Sequence, residues 1–325
     1  MFAFIVRRVI QAIIVMLIIS FLGFALKQNV GDPVREITGI SVSVAEREAI
    51  RNKLGLNDPF FTQYFRFLKG AVLEGNLGQS FFYKKPALEV ILKKAPATLE
   101  LVFVCSIFIV LLSIPMGMYS AIYPKRILSR IIMGLSTLGV SIPIFLIAIV
   151  FIYIFSIQLN WLPSYGRGET VTIWGWESGL FTIDGLKHLI LPATALTALM
   201  LPLFVRLIRS EMMEALQTEY VKFAWAKGLS PMRIWVVHAF KNTLLPVITV
   251  GGVQIGTLIA FTILTETVFQ WGGLGFLFLE AVERADTSLL VAYLIFVGII
   301  FVVVNTVVDI IYGLVNPMVR VTGRK

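Results

Sequence analysis

The sequence predicts an all-α integral membrane protein with about six transmembrane helices, and three observations lead there. Hydrophobic residues make up 58% of the 325 positions and charged residues only 14%, with a mean hydropathy of +0.87; a soluble domain carries roughly a quarter charged residues. Apolar runs long enough to cross ~30 Å of hydrocarbon, about 20 residues each, recur six times. Lys and Arg gather at the ends of these runs rather than on a soluble face, so the net charge of +9 reads as membrane topology and not as a nucleic-acid footprint.

The runs cover residues 9–26, 99–123, 131–159, 188–208, 244–264 and 289–315. Backbone groups in lipid find no water to bond, so each run is expected to be helical. The first, in segment 1–26, follows Arg7 and Arg8 and reads as a retained anchor. A cleaved signal peptide with Gly23-Phe24-Ala25 as its small-x-small site is the alternative, for which the apolar stretch is long. Residues 27–98 form a long segment with helix signals of its own. Ser43-Val44-Ala45-Glu46 has capping-box spacing, Ile50 and Leu54 share a face, and Gly55 is placed to end that helix. A second short helix is expected from Pro59 to Gly70. These pieces cover the outer mouth of the bundle, receive a soluble partner, or pack on the bundle with no further contact. Residues 99–325 hold the other five runs and the loop 209–246.

Charge in the short loops sets the orientation. One side holds Arg7 and Arg8, then Lys125, Arg126 and Arg130, then Arg206, Arg209, Lys222, Lys227, Arg233 and Lys241, then Arg320, Arg324 and Lys325. The short loops of the other side hold only Arg167, Lys187 and Arg284. Both termini are therefore expected in the cytoplasm and segment 27–98 outside, since loops of that length are translocated with little regard to charge.

The loop between the fourth and fifth runs is the most informative stretch. Residues 211–227 have good helix formers and stop at Gly228, a residue suited to the left-handed conformation of a helix end. Ser230 and Pro231 then suit the N-cap and first position of a second helix. Tyr220, Phe223, Ala224 and Trp225 lie near this bend, and aromatic side chains there suit docking into a groove on a partner protein. A basic hairpin lying on lipid headgroups is the plainer alternative.

Here the residues resemble a family. Glu219-Tyr220-Val221, Ala224-Trp225-Ala226-Lys227-Gly228-Leu229-Ser230, His238-Ala239-Phe240-Lys241-Asn242 and Leu244-Leu245-Pro246 resemble the cytoplasmic loop of bacterial and archaeal ABC importer permeases. The similarity is to the dipeptide and oligopeptide (peptide/nickel) permeases, specifically the subunit with a long first external loop. It extends to Gly31-Asp32-Pro33, Leu54-Gly55-Leu56, Gly75-Asn76-Leu77-Gly78, Pro96-Ala97-Thr98-Leu99-Glu100, Glu266-Thr267-Val268-Phe269 and the stretch 309–317. The resemblance implies a type I permease-like bundle with an external helical subdomain and a cytoplasmic coupling helix, docked on an ATPase. It carries the coupling role onto Ala224 and Gly228, with Glu219, Tyr220 and Lys227 beside them. Where the general importer pattern has Glu-Ala-Ala, this sequence has Lys222, Phe223 and Ala224, so no specific role passes to Lys222. The partners implied are a second homologous permease, two ATP-binding subunits and an extracytoplasmic solute-binding protein, in a cytoplasmic membrane. The substrate is a peptide or a related solute.

No catalytic centre, cofactor or metal site is expected. The sequence lacks G-x-x-x-x-G-K-[ST], so ATP hydrolysis belongs to partners. Cys105 lies in an apolar run, and His188 and His238 are far apart. A secondary transporter is the alternative reading, but no clear repeat supports it; an intramembrane enzyme would want a catalytic pair at mid-span. Pro115, Pro143, Pro192, Pro202 and Pro246 are either kinks that shape a pathway or bends of simple packing. Asn305 and Asp309 share a helical face, as pathway groups or as structural acceptors. Glu100 and Glu266 line an outer vestibule or sit at solvated helix ends. Trp161, Trp174, Trp176 and Trp271 read as interfacial anchors.

Overall fold

The computed structural model describes residues 2–29, 34, 44–53 and 55–315. Ser43 of the capping box, Leu54, Gly31-Asp32-Pro33, Pro317, Arg320, Arg324 and Lys325 lie outside the described residues. The helices are α1 (Phe2–Asn29), α2 (Val44–Lys53), α3 (Phe60–Leu73), α4 (Ala87–Ile122), α5 (Ile127–Ser141) and α6 (Ile144–Phe151), the last continuing as a π-helical segment Ile152–Gln158. A two-stranded hairpin, β1 (Val171–Ile173) and β2 (Trp176–Ser178), precedes α7 (Ile183–Gln217) and α8 (Glu219–Ala226). Then follow α9 (Pro231–Val268), π-helical over Ile234–Phe240, α10 (Leu274–Glu283) and α11 (Thr287–Val315).

Among the described residues five stretches are long and apolar enough to cross a membrane: Arg8–Ala25 within α1, then α4, α7, α9, and Thr287–Ile311 within α11. A sixth exists if α5 and α6 count as one span. The third apolar run, expected as a single helix, is in fact this pair, bent by 113°. Pro143 is the cause. Its ring disfavours helical backbone in the preceding residue, and Ile142 sits at φ −94°, ψ 124°. The other four prolines weighed as kinks stay inside helices: Pro115 in α4, Pro192 and Pro202 in α7, Pro246 in α9. The second run likewise belongs to a longer helix, since α4 starts at Ala87 and runs for 36 residues, about 54 Å at 1.5 Å per residue.

Among the described residues two compact units form, Met1–Pro96 with Gly272–Val303, and Ala97–Trp271 with Val304–Lys325. In the first, Phe21 and Phe24 of α1 meet Phe60, Tyr64 and Phe67 of α3 at ring separations of 5.4 to 5.6 Å. α2 ends as expected: Gly55 lies at φ +63°, its N–H donating to Asn52 and that of Leu56 to Arg51. α3 passes Gly70 and stops at Leu73, after which the Gly70 carbonyl accepts from Glu74 and Asn76. Asp286 is buried and accepts from Ser80 Oγ, Phe82 N and Leu289 N, tying the loop after α3 to the start of α11. Tyr83 donates to Glu280 over 2.7 Å beside it.

In the second unit small residues let helices approach closely, which matters in lipid because no hydrophobic force drives one apolar helix onto another. Gly117 faces Ile208 and Val205 between α4 and α7, Gly139 faces Pro202 between α5 and α7, and Gly252 faces Val308 between α9 and α11. Trp271, read as an interfacial anchor, is buried, its Nε1 donating to the Ala97 carbonyl over 2.9 Å.

Candidate functional site: the bend between α7 and α9

The first short helix of the loop, expected over 211–227, is split. α7 runs from its apolar stretch to Gln217 without interruption, and Thr218 then breaks it with extended backbone at φ −69°, ψ 152°. The Thr218 hydroxyl donates to the Ala215 carbonyl, and the residue stands in the N-cap position of α8.

α8 ends in a Schellman motif. Gly228 lies at φ +71°, Gly228 N donates to Trp225 O over 2.9 Å, and Leu229 N donates to Ala224 O over 3.3 Å. These two bonds absorb carbonyls that a helix end would otherwise leave open. Ser230 follows in the N-cap position with Pro231 at the first helical position, although the Ser230 side chain makes no capping hydrogen bond. The chain thus turns back within a few residues and re-enters α9.

The bend has two faces. On the inner one Val221 and Ala224 are buried with Ala121, Met212, Ala215, Ile234 and Ala239. Trp235 packs edge-on against Tyr123 at 6.0 Å, and Arg126 stacks on the other ring at 4.4 Å, so the α4–α5 corner joins this core. The outer face presents Tyr220, Phe223 and Trp225, with Phe223 60% exposed. Lys227 Nζ lies 4.6 Å from the Phe223 ring centroid, Lys222 pairs with Glu219 at 2.8 Å, and Asn242 donates to the Tyr220 hydroxyl at 2.6 Å. Four of the five residues expected at a partner contact, Glu219, Tyr220, Lys227 and Gly228, lie on this outer face. The fifth, Ala224, is only 4% exposed and faces inward. It belongs to the buried cluster that α8 shares with residues of α4, α7 and α9.

The acidic residues near the other ends of the helices are buried, so neither is a solvated helix end. Glu100 is 5% exposed. Its carboxylate accepts from Arg167 at 2.7 Å, from Trp176 Nε1 at 3.3 Å and from Gly179 N at 3.2 Å, and Arg167 also donates to the Glu177 carbonyl. A buried charge needs such partners. It is therefore a clamp on the β1–β2 hairpin, not a solvated helix end. The hairpin itself was not foreseen: its two-residue turn, Trp174 at φ +52° and Gly175 at φ +81°, is the left-handed geometry that hairpins favour, and Trp-Gly is a weak written signal for it. Glu266 is fully buried and accepts from Thr98 Oγ1 over 2.5 Å. Asn305 and Asp309 are half-buried on α11. Among the described residues no group of His, Cys, Asp and Glu is placed to hold a metal ion.

Comparison with known proteins agrees with this architecture. Residues 113–321 match the family described as binding-protein-dependent transport system inner membrane component, and residues 1–102 match the N-terminal family that accompanies it. The chain is 37% identical over 98% of its length to the dipeptide transport system permease protein DppB of Escherichia coli (strain K12), covering 99% of that protein. It is 35% identical, again over 98%, to the oligopeptide transport system permease protein AppB of Bacillus subtilis (strain 168), covering all of it. Identity is 30% to the glutathione transport system permease protein GsiC of Escherichia coli O6:H1, over 98% of this chain and 99% of that one. In fold it resembles a chain of the MetNI methionine ABC transporter in an inward-facing conformation, with TM-score 0.56 and 17% identity, over 70% of this chain and 97% of that one.

Proposed function

The chain belongs to the family of binding-protein-dependent transport system inner membrane components, and on that premise we propose that it is the membrane-spanning, non-catalytic permease subunit of an ATP-driven importer of peptides. The dipeptide and oligopeptide permeases among its relatives support peptides as cargo. In this reading it pairs with a second homologous permease, docks on two ATP-binding subunits and receives substrate from a solute-binding protein, with both termini in the cytoplasm.

One observation carries the coupling: a short helix with Ala224 and Val221 locked into the chain's own core and Tyr220, Phe223, Trp225 and Lys227 turned outward. Its inner face grips α4, α7 and α9; its outer face offers aromatic anchors to an ATPase groove. α7 and α9 run on from the bend as helices of 35 and 38 residues, so a displacement of α8 is delivered to two membrane-crossing elements. ATP-driven closure of the partners then biases a bundle with two arrangements.

The test is capture of the ATPase subunits in mild detergent by a chain carrying Phe223→Ala and Trp225→Ala. Losing two aromatic anchors, at roughly 2 kcal/mol for each hot spot, weakens capture by roughly a thousandfold. Unchanged capture would remove α8 as the docking element.

A further inference from the structure

Helix α3 is apolar around more of its circumference than its packing uses. Phe60, Tyr64 and Phe67 face α1 and form the aromatic cluster with Phe21 and Phe24. On the adjoining face Phe61, Leu68, Val72 and Phe65 follow helical spacing, and Phe61 and Phe65 are 63% and 65% exposed. The remaining side carries Thr62, Arg66 and Lys69, all exposed. A helix with aromatic residues on one side and Lys and Arg on the other is built to lie in the plane of a membrane interface.

Where α3 is fastened decides what covers that free face. Tyr64 is buried, its hydroxyl bonding to the Leu17 carbonyl at 3.2 Å and to Ser20 Oγ at 2.9 Å. Both partners lie inside the stretch Arg8–Ala25, which is long and apolar enough to cross a membrane. Leu17 is eight residues before the end of that stretch, about 12 Å along the helix axis, so α3 is held at a depth below the end of the span. The outward side of α1 at the same level is also apolar and exposed, with Leu17, Ile18 and Leu22 about half open. The face bearing Phe61 and Phe65 continues this lipid-facing surface.

We infer that α3 is an interfacial helix embedded in the headgroup and upper acyl layer at the C-terminal end of the first span, with Phe61, Phe65, Leu68 and Val72 in lipid and Lys69 reaching to the phosphates, while Arg66 stays paired with Asp58. In this position it is not the receiving surface for a soluble protein. The embedded helix fixes the depth of α1 in the bilayer.

Site-directed spin labelling of the full chain, in vesicles of phosphatidylethanolamine and phosphatidylglycerol, tests this. Phe61→Cys, Phe65→Cys and Val72→Cys are made singly in a Cys105→Ser background, with Thr62→Cys as the polar-face control. Labels at 61, 65 and 72 are expected to show oxygen-to-nickel-chelate collision ratios several-fold above that at 62. Ratios equal to the control would put the face in water and overturn the proposal. Protection from both reagents at 65 and 72 would mean that a protein chain covers the face, and would overturn it equally. Three label sites keep the result readable if one substitution disturbs folding. The readout needs no transport, so it stands or falls independently of the coupling role of α8.

Discussion

Substitution at Gly228 separates a conformational role from a contact role. Gly228 lies at φ +71°, and a Cβ built on it meets nothing within 4 Å. The cost of a side chain is therefore one of backbone alone: about 1–2 kcal/mol for an ordinary L-residue in left-handed geometry, more for a β-branched one, and less for Asn, which visits that region readily. Should the chain relax instead, the bonds from Gly228 and Leu229 to Trp225 and Ala224 are lost at roughly 0.5–1.5 kcal/mol each. Both routes give about 1–3 kcal/mol, and 1.4 kcal/mol is a factor of ten in population. Peptide uptake into vesicles holding the whole importer should fall little for Gly228→Asn, about tenfold for Gly228→Ala and further for Gly228→Val, with insertion of the chain unchanged. If the residue mattered as a bare contact surface, the order would follow size and Asn would be worse than Ala. Wild-type uptake in Gly228→Val, or an order set by size, refutes the reasoning.

Glu100→Gln breaks a buried ion pair and should lower stability by about 3–5 kcal/mol, read as a drop in thermal unfolding temperature in detergent; adding Arg167→Met should restore part of the loss. Gly252→Ala drives a methyl into Val308, a predicted loss of about 1–3 kcal/mol that Val308→Ala should relieve in the same assay. Burial, then the hydrogen bond to Glu280, pushes the Tyr83 hydroxyl above the ordinary tyrosine range. The folded chain therefore keeps a proton that the unfolded chain gives up. The stability this brings is present below pH ~10 and is lost as pH climbs above it, and Tyr83→Phe should flatten that alkaline decline in unfolding measurements.

Much of the bend was legible residue by residue, because its signals are local. Glycine at a helix end and proline at a helix start act through their own backbone, and Gly228, Pro231 and Gly55 all do so here. The break at Thr218 was not legible, since threonine is compatible with helix, cap and strand, and the bond from its hydroxyl to the Ala215 carbonyl is a feature of the folded turn. Pro143 stood among five prolines in apolar runs, and it alone ends a helix. Glu100 sits 67 positions from the arginine that neutralises it, a separation that no local pattern reports.

What the sequence alone determined was the solvent and the order of events along the chain: apolar runs of spanning length demand helices, because lipid offers backbone groups no other partner. What only the tertiary structure decided was which side of each helix meets protein. Periodicity finds a buried face in water by contrast with a polar one, and in a membrane that contrast is missing, since lipid and protein interior are both apolar. Hence Ala224 and Phe223 are adjacent apolar residues in the sequence, yet one is sealed in the core and the other stands exposed.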